Sequence, residues 1–341
     1  MPSLHRCLPL ALTLLSAASG ALAQGSSSQV NVFGVVDIGA GRYQLAGRPS
    51  DNQVVASPLI TSRLGFVGTE DLGGGLRANF FLTHMMRPDT GESGRFPGDV
   101  FWSSRATVGL SGRFGQVNLG RMNSPLFFTL LKFDPHELAP AAPTFMQTYP
   151  GGQPLPAPMA VPDSAINNSV QYSSPVFAGF SASLHAGTAE IPGTHKGRFG
   201  YSANYSGKSL SVAVAGEALS APIVAGETRQ NALAGAVSYD LQSLKVAGIY
   251  QRYEQKSLGN EYRVLTLGAT VPFGVHKLIA SWGRTDLDQA TGSDVRRTGL
   301  AITYDHFLSK RTDIYIHALK DRLSTASSDG NTLLGGIRHR F

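Results

Sequence analysis

The chain has 341 residues, a net charge of +6, 42% hydrophobic and 15% charged side chains, and one cysteine, Cys7. A single thiol excludes internal disulfides and cysteine metal clusters. No run of 18 apolar residues follows the first 23, which excludes helical membrane spans, and the basic residues are scattered singly, without the cluster that nucleic-acid binding needs.

Residues 1–23 have a short polar start with His5 and Arg6, an apolar run over 8–15, and small residues ending in Ala21-Leu22-Ala23. This is the pattern of a cleaved secretory signal, with the cut before Gln24. The apolar run is too short for a bilayer-spanning helix of about 20 residues. Cleavage removes Cys7 and Arg6, leaving residues 24–341 with no thiol and a net charge of +5.

Beyond the signal, one rhythm runs through the chain. Period-2 segments are predicted at 29–43, 62–70, 76–86, 101–111, 115–121, 167–173, 180–188 and 198–205. They continue at 209–219, 230–240, 244–253, 262–272, 276–284, 296–306, 312–322 and 332–341. Most approach the 9–11 residues that a tilted transmembrane strand needs. The connections alternate between short turns (71–75, 112–115, 174–179, 206–208) and long loops (44–61, 87–100, 122–166, 189–197). Short turns at one rim and long loops at the other predict a closed, sixteen-stranded antiparallel transmembrane β-barrel forming a single domain. An even strand count returns both termini to the short-turn side.

Face parity agrees. Leu76, Ala78, Phe80 and Leu82 alternate with Arg77, Asn79 and Thr83; Trp102, Ala106, Val108 and Leu110 alternate with Ser103, Arg105 and Thr107. Alternation by itself also fits a soluble sandwich with its apolar face inward. Small apolar residues, modest for a packed core, favour lipid outside. Tyr201, Tyr205, Tyr239, Tyr250 and Tyr304 near strand ends suit an interfacial girdle. The last strand carries Leu333, Gly335, Ile337, His339 and Phe341 on one face and Arg338 and Arg340 on the other. A barrel must pair its last strand with its first, which makes Phe341 the candidate assembly signal.

The stretches Val32-Phe33-Gly34-Val35-Val36-Asp37, Ser62-Arg63-Leu64-Gly65-Phe66-Val67-Gly68-Thr69-Glu70-Asp71-Leu72-Gly73, Leu119-Gly120-Arg121, Asn168-Ser169-Val170-Gln171-Tyr172-Ser173-Ser174-Pro175, Leu308-Ser309-Lys310-Arg311-Thr312 and Gly336-Ile337-Arg338-His339-Arg340-Phe341 resemble Gram-negative general porins of the beta-proteobacterial type. The resemblance implies a water-filled outer-membrane pore for passive diffusion of small hydrophilic solutes and inorganic ions. It also implies a homotrimer surrounded by outer-membrane lipid, with the third loop folded inward to narrow the channel. The 122–166 connection is the third long loop. The chain departs from the family at Ser104-Arg105, where Arg-Gln is frequent, and at Thr83, where Glu is frequent. Its third loop is also rich in proline, with Pro140, Pro143, Pro150, Pro154, Pro156, Pro158 and Pro162.

Selectivity in such a pore comes from its width and its fixed charges. By parity Arg63, Arg77 and Arg105 project inward from neighbouring strands, a basic wall that Asp134 and Glu137 of the third loop would oppose. Asp37 is the alternative partner of Arg63 in a plain structural ion pair. The basic wall leans toward anion preference. No enzyme and no cofactor is expected. Gly207-Lys208-Ser209 lacks the first glycine of a phosphate loop, His136-Glu137 stands outside any zincin motif, and Ser181, Ser183 and His185 suit a polar lumen without catalysis. A surface barrel plugged by the third loop, acting as adhesin or receptor, is the competing reading.

Overall fold

A computed structural model describes residues 28–148, 164–188, 197–219 and 229–341. The strands are β1 Gln29–Tyr43, β2 Asp51–Ala56, β3 Arg63–Gly73, β4 Leu76–Arg87, β5 Glu92–Ser93, β6 Arg105–Gly112, β7 Gly115–Asn123, β8 Ala165–Ser173 and β9 Phe180–Gly187. They continue as β10 Arg198–Ser206, β11 Leu210–Leu219, β12 Gln230–Asp240, β13 Lys245–Gln255, β14 Asn260–Phe273, β15 His276–Asp288, β16 Val295–Phe307, β17 Thr312–Leu323 and β18 Gly330–Arg340. All pairings are antiparallel, each wall strand pairs with its chain neighbours, and β1 pairs with β18 to close the ring. The wall has sixteen strand positions. β2 continues the line of β3 beside the upper half of β1, and β5 is a two-residue pairing in the second loop.

Most predicted segments coincide with a strand to within a few residues, β1 at both ends. The first loop departs from expectation: six of its residues, β2, extend the wall, pairing Tyr43 with Asp51 and Ile38 with Ala56. Exposed residues there alternate poorly, which hides the strand from a period-2 reading.

The faces divide as parity requires. Val108, Leu119, Leu233, Leu267, Ile302 and Leu333 are exposed on the outer surface of the barrel, the apolar face that a transmembrane barrel presents. Their neighbours Thr107, Asn118, Thr266, Thr303 and Thr332 are buried within. Tyr201, Tyr239, Tyr250 and Tyr304 all face outward. At the ring closure the Gly34 amide donates to the Phe341 carbonyl at 3.0 Å, and the Phe341 amide donates back to Gly34 at 3.1 Å. The phenylalanine ring lies over Gly34, where a Cβ would collide with it.

The third loop holds two helices, α1 Pro125–Phe133 and α2 Pro143–Thr148. Ser124 caps α1, its hydroxyl accepting from the Phe127 amide, and Pro125 sits in the first turn, where a missing N–H costs nothing. The helix buries Leu126, Leu130 and Phe133 against inward-facing Ala213, Ala215, Ala232, Ala234 and Ala236 of β11 and β12. Each large side chain contributes about 1.5–3 kcal/mol by leaving water. A lumen wall expected to be polar is therefore apolar where the helix seats, and its alanines are small because a helix occupies the space. The signal segment, Cys7 and five loop prolines (Pro150, Pro154, Pro156, Pro158, Pro162) lie outside the described residues.

Candidate functional site

With α1 and α2 on the β10–β16 wall, open space remains toward β1, β3, β4 and β6. It is a cavity of about 1090 Å3, bordered by strand residues on one side and by the third loop on the other. Arg63 opens β3 and Arg105 opens β6, separated only by β4. Arg63 lies level with Met85 of β4, and Arg105 with Thr83 one step lower. Adjacent strands are about 4.8 Å apart, so the two arginines stand on one patch of wall. Both line the cavity, as does Glu137 of the third loop.

Their bonding separates them from the other inward arginines. Arg198 is paired with Glu217, Arg297 with Asp321 at 2.8 Å, and Arg338 with Asp313 at 2.9 Å and Asp305 at 3.2 Å. Arg63 instead donates to the Thr61 carbonyl at 3.4 Å, and Arg105 to the Thr107 hydroxyl at 3.2 Å. Among the described residues neither has an ion pair. Arg105 lies over the Phe81 ring, 4.6 Å from its centroid.

The remaining expected site residues are placed differently. Arg77 is exposed at the turn end of β4, opposite Asp71 and Ser111. Six residues of strand separate it from Thr83, about 20 Å, so inward parity does not bring it to Arg63 and Arg105. Asp134 is fully buried and turned away from the arginines. It accepts from the Leu138 amide at 2.7 Å and the Thr144 hydroxyl at 2.6 Å, joining the end of α1 to α2. Burial pushes its carboxyl up to about 6, against the pull of these hydrogen bonds. Asp37 does not pair with Arg63. It accepts from the Tyr315 hydroxyl and from the Leu59 and Ile60 amides, each at 2.7 Å, and so pins the first loop to the lumen wall.

His136 anchors the loop beside Asp134. Its Nδ1 lies 2.8 Å from the Ser281 hydroxyl and its Nε2 3.0 Å from that of Thr303. Burial, with His317 and Lys277 nearby, drives its pKa down to about 3, so the ring is held neutral. The cavity is also lined by Phe33, Phe81, Phe127 and Phe128, which the inward charges do not point to. Parity offered a signal: Phe80 and Phe81 are consecutive, so one of them must face the lumen.

A closed transmembrane barrel with polar groups inside and a cavity narrowed by an infolded loop is a diffusion channel of the outer-membrane class. The comparisons agree with that class. The family model for Gram-negative porins matches residues 11–326, and the chain belongs to that family. It is 32% identical over 325 residues to outer membrane porin protein 32 of Delftia acidovorans, covering 90% of this chain and 86% of that one. The solved anion-selective porin from Comamonas acidovorans superposes with a TM-score of 0.77 at 25% identity, covering 92% of this chain and all of that one. OmpT, an outer membrane protein of Vibrio cholerae described in its trimer form, gives a TM-score of 0.69 at 12% identity over 92% and 99% of the two chains, a likeness of fold. The protein is an outer-membrane porin through which small hydrophilic solutes and ions diffuse passively.

Proposed function

We propose that this pore prefers anions and that Arg63 and Arg105 set the preference. The observation that carries the reading is the pair of cavity-lining guanidiniums with no carboxylate partner among the described residues, where Arg297 and Arg338 are neutralised. Guanidinium stays charged beside like charges, so the wall keeps its sign. Glu137 and Asp89 also line the cavity and limit the preference without cancelling it. Asp37 and Asp134 act as fasteners for the first and third loops, and Arg77 belongs to the turn-side rim. The similar porin from Comamonas acidovorans is anion-selective, which supports the sign.

Transport by this reading needs no bond chemistry, and the protein is not an enzyme. A signal over 1–23 is removed to leave the barrel domain 24–341, Phe341 closes the strand ring and serves as assembly signal, and three copies associate in the membrane. In planar bilayers, insertion steps should come in multiples of three, and silent insertion would favour the plugged alternative. Under a salt gradient the reversal potential should have the sign of an anion-preferring pore. R63Q and R105Q together should move it toward cations; an unmoved potential refutes the assignment.

A further inference from the structure

The cavity is not lined by charge alone. Beside the two arginines, Phe81 of β4 meets Phe33 of β1 with ring centroids 5.1 Å apart. Gly65 of β3 lies between them, and a Cβ there would strike the Phe33 ring, so the absent side chain lets rings two strands apart touch. From the loop side α1 turns Phe127 and Phe128 into the same space, Phe128 being 40% exposed. Phe145 of α2 adds a fifth ring. A wet passage gains nothing from an exposed Phe128 or from half-buried rings at its wall, since apolar surface in contact with water costs free energy. Half-buried Phe33 and Phe81 on the strand side and exposed Phe128 on the helix side give the cavity two facing aromatic walls, a recognition surface for a flat apolar body.

We propose that this slot is a transit site for aromatic carboxylates. The solute ring would lie against the phenylalanines in stacked or edge-on contact, and its carboxylate would bridge to Arg105 and Arg63, whose planar guanidiniums suit two-point binding. The inference deepens the anion preference proposed above and rests on that reading. It adds a requirement that charge cannot supply: the organic part of the anion must be a ring with a π-face.

The test uses the full-length protein inserted in planar bilayers in potassium chloride, with benzoate, cyclohexanecarboxylate and benzylammonium added in turn. Benzoate should interrupt the current at about five-fold lower concentration than cyclohexanecarboxylate, the size of effect that aromatic contacts support. Benzylammonium should not compete with benzoate. Phe81→Leu and, on the opposing helix, Phe128→Leu should each reduce the ratio between the two carboxylates. Equal blocking concentrations in the unmodified protein overturn the proposal, whatever the variants do. A potential showing no anion preference would refute the earlier reading instead, and a benzoate effect seen without it would leave the rings as the only determinant and refute the arginine contact.

Discussion

The two halves of the lumen are built from the same alternating strands and do opposite things. On β11 to β14 a stretch of the inward face is alanine, isoleucine, valine and tyrosine, and α1 packs on it, making a small apolar core inside the barrel beside polar groups such as Glu217 and Gln251. On β1, β3, β4 and β6 the inward face carries Arg63, Thr83 and Arg105 beside Phe33 and Phe81, and a cavity is left open. Polar residues inward is therefore a rule about what touches water. It fails wherever the third loop takes the place of water. The side on which the loop seats decides which half of the pore conducts.

The largest test of this division removes packing from the seat. Leu130→Ala leaves a hole under α1 and should weaken the seating of the loop by about 2–5 kcal/mol. Limited proteolysis of folded protein in detergent should then cut within the third loop much faster while the barrel survives. Phe81→Ala, on the open half, should leave that rate unaltered; equal sensitivity to both would erase the distinction. A smaller effect is expected at the other fastener. Tyr315→Phe deletes one of three hydrogen bonds to Asp37 and should cost about 1–3 kcal/mol, read as a lower thermal unfolding midpoint.

Acidification probes the seat through two groups of opposite sense. His136, with an ordinary value of 6.5 lowered to about 3, contributes seating that is complete above pH 6.5 and declines as pH falls toward 3. Asp134, with an ordinary value of 3.8 raised to about 6, contributes seating that is complete below pH 3.8 and is lost as pH rises through 6. Between pH 6 and 4 the slopes oppose each other, each about 1.4 kcal/mol per unit, so loop proteolysis should vary little. Asp134→Asn should leave the histidine uncompensated and make the loop release on acidification. His136→Gln should reverse the trend. A flat profile in both variants would show that neither group senses the seat. The smallest expected effect is at Arg77→Gln. Its position at the turn-side rim predicts no change in reversal potential, and a shift as large as that of R105Q would place the selecting charge there.

Much of this is legible in the residues alone. The bounds of β1, the turn at Gly73 to Gly75 and the outward row Leu265, Leu267 and Ala269 follow from alternation and turn residues, which are local properties. Helix α1 is legible in Ser124-Pro125, a cap followed by a first-turn proline, although a period-2 pattern assigns all of 122–166 to a loop. The roles of Asp37 and Asp134 were not legible. Tyr315 reaches Asp37 across 278 positions of chain, and Thr144 meets Asp134 only because the loop doubles back. Parity put Arg77 on the correct face at the wrong height, since parity says nothing about position along a pore.

Alternation with a period of two, together with short turns and long loops in turn, determined that this chain makes a barrel and which side of each strand faces outward. Those properties need only a residue and its near neighbours. Tertiary structure decided which inward groups meet one another, because ring closure and loop infolding set heights and partners through contacts hundreds of residues apart. The same alternation could line a lumen with free arginines or with ion pairs, and only the folded arrangement separates the two.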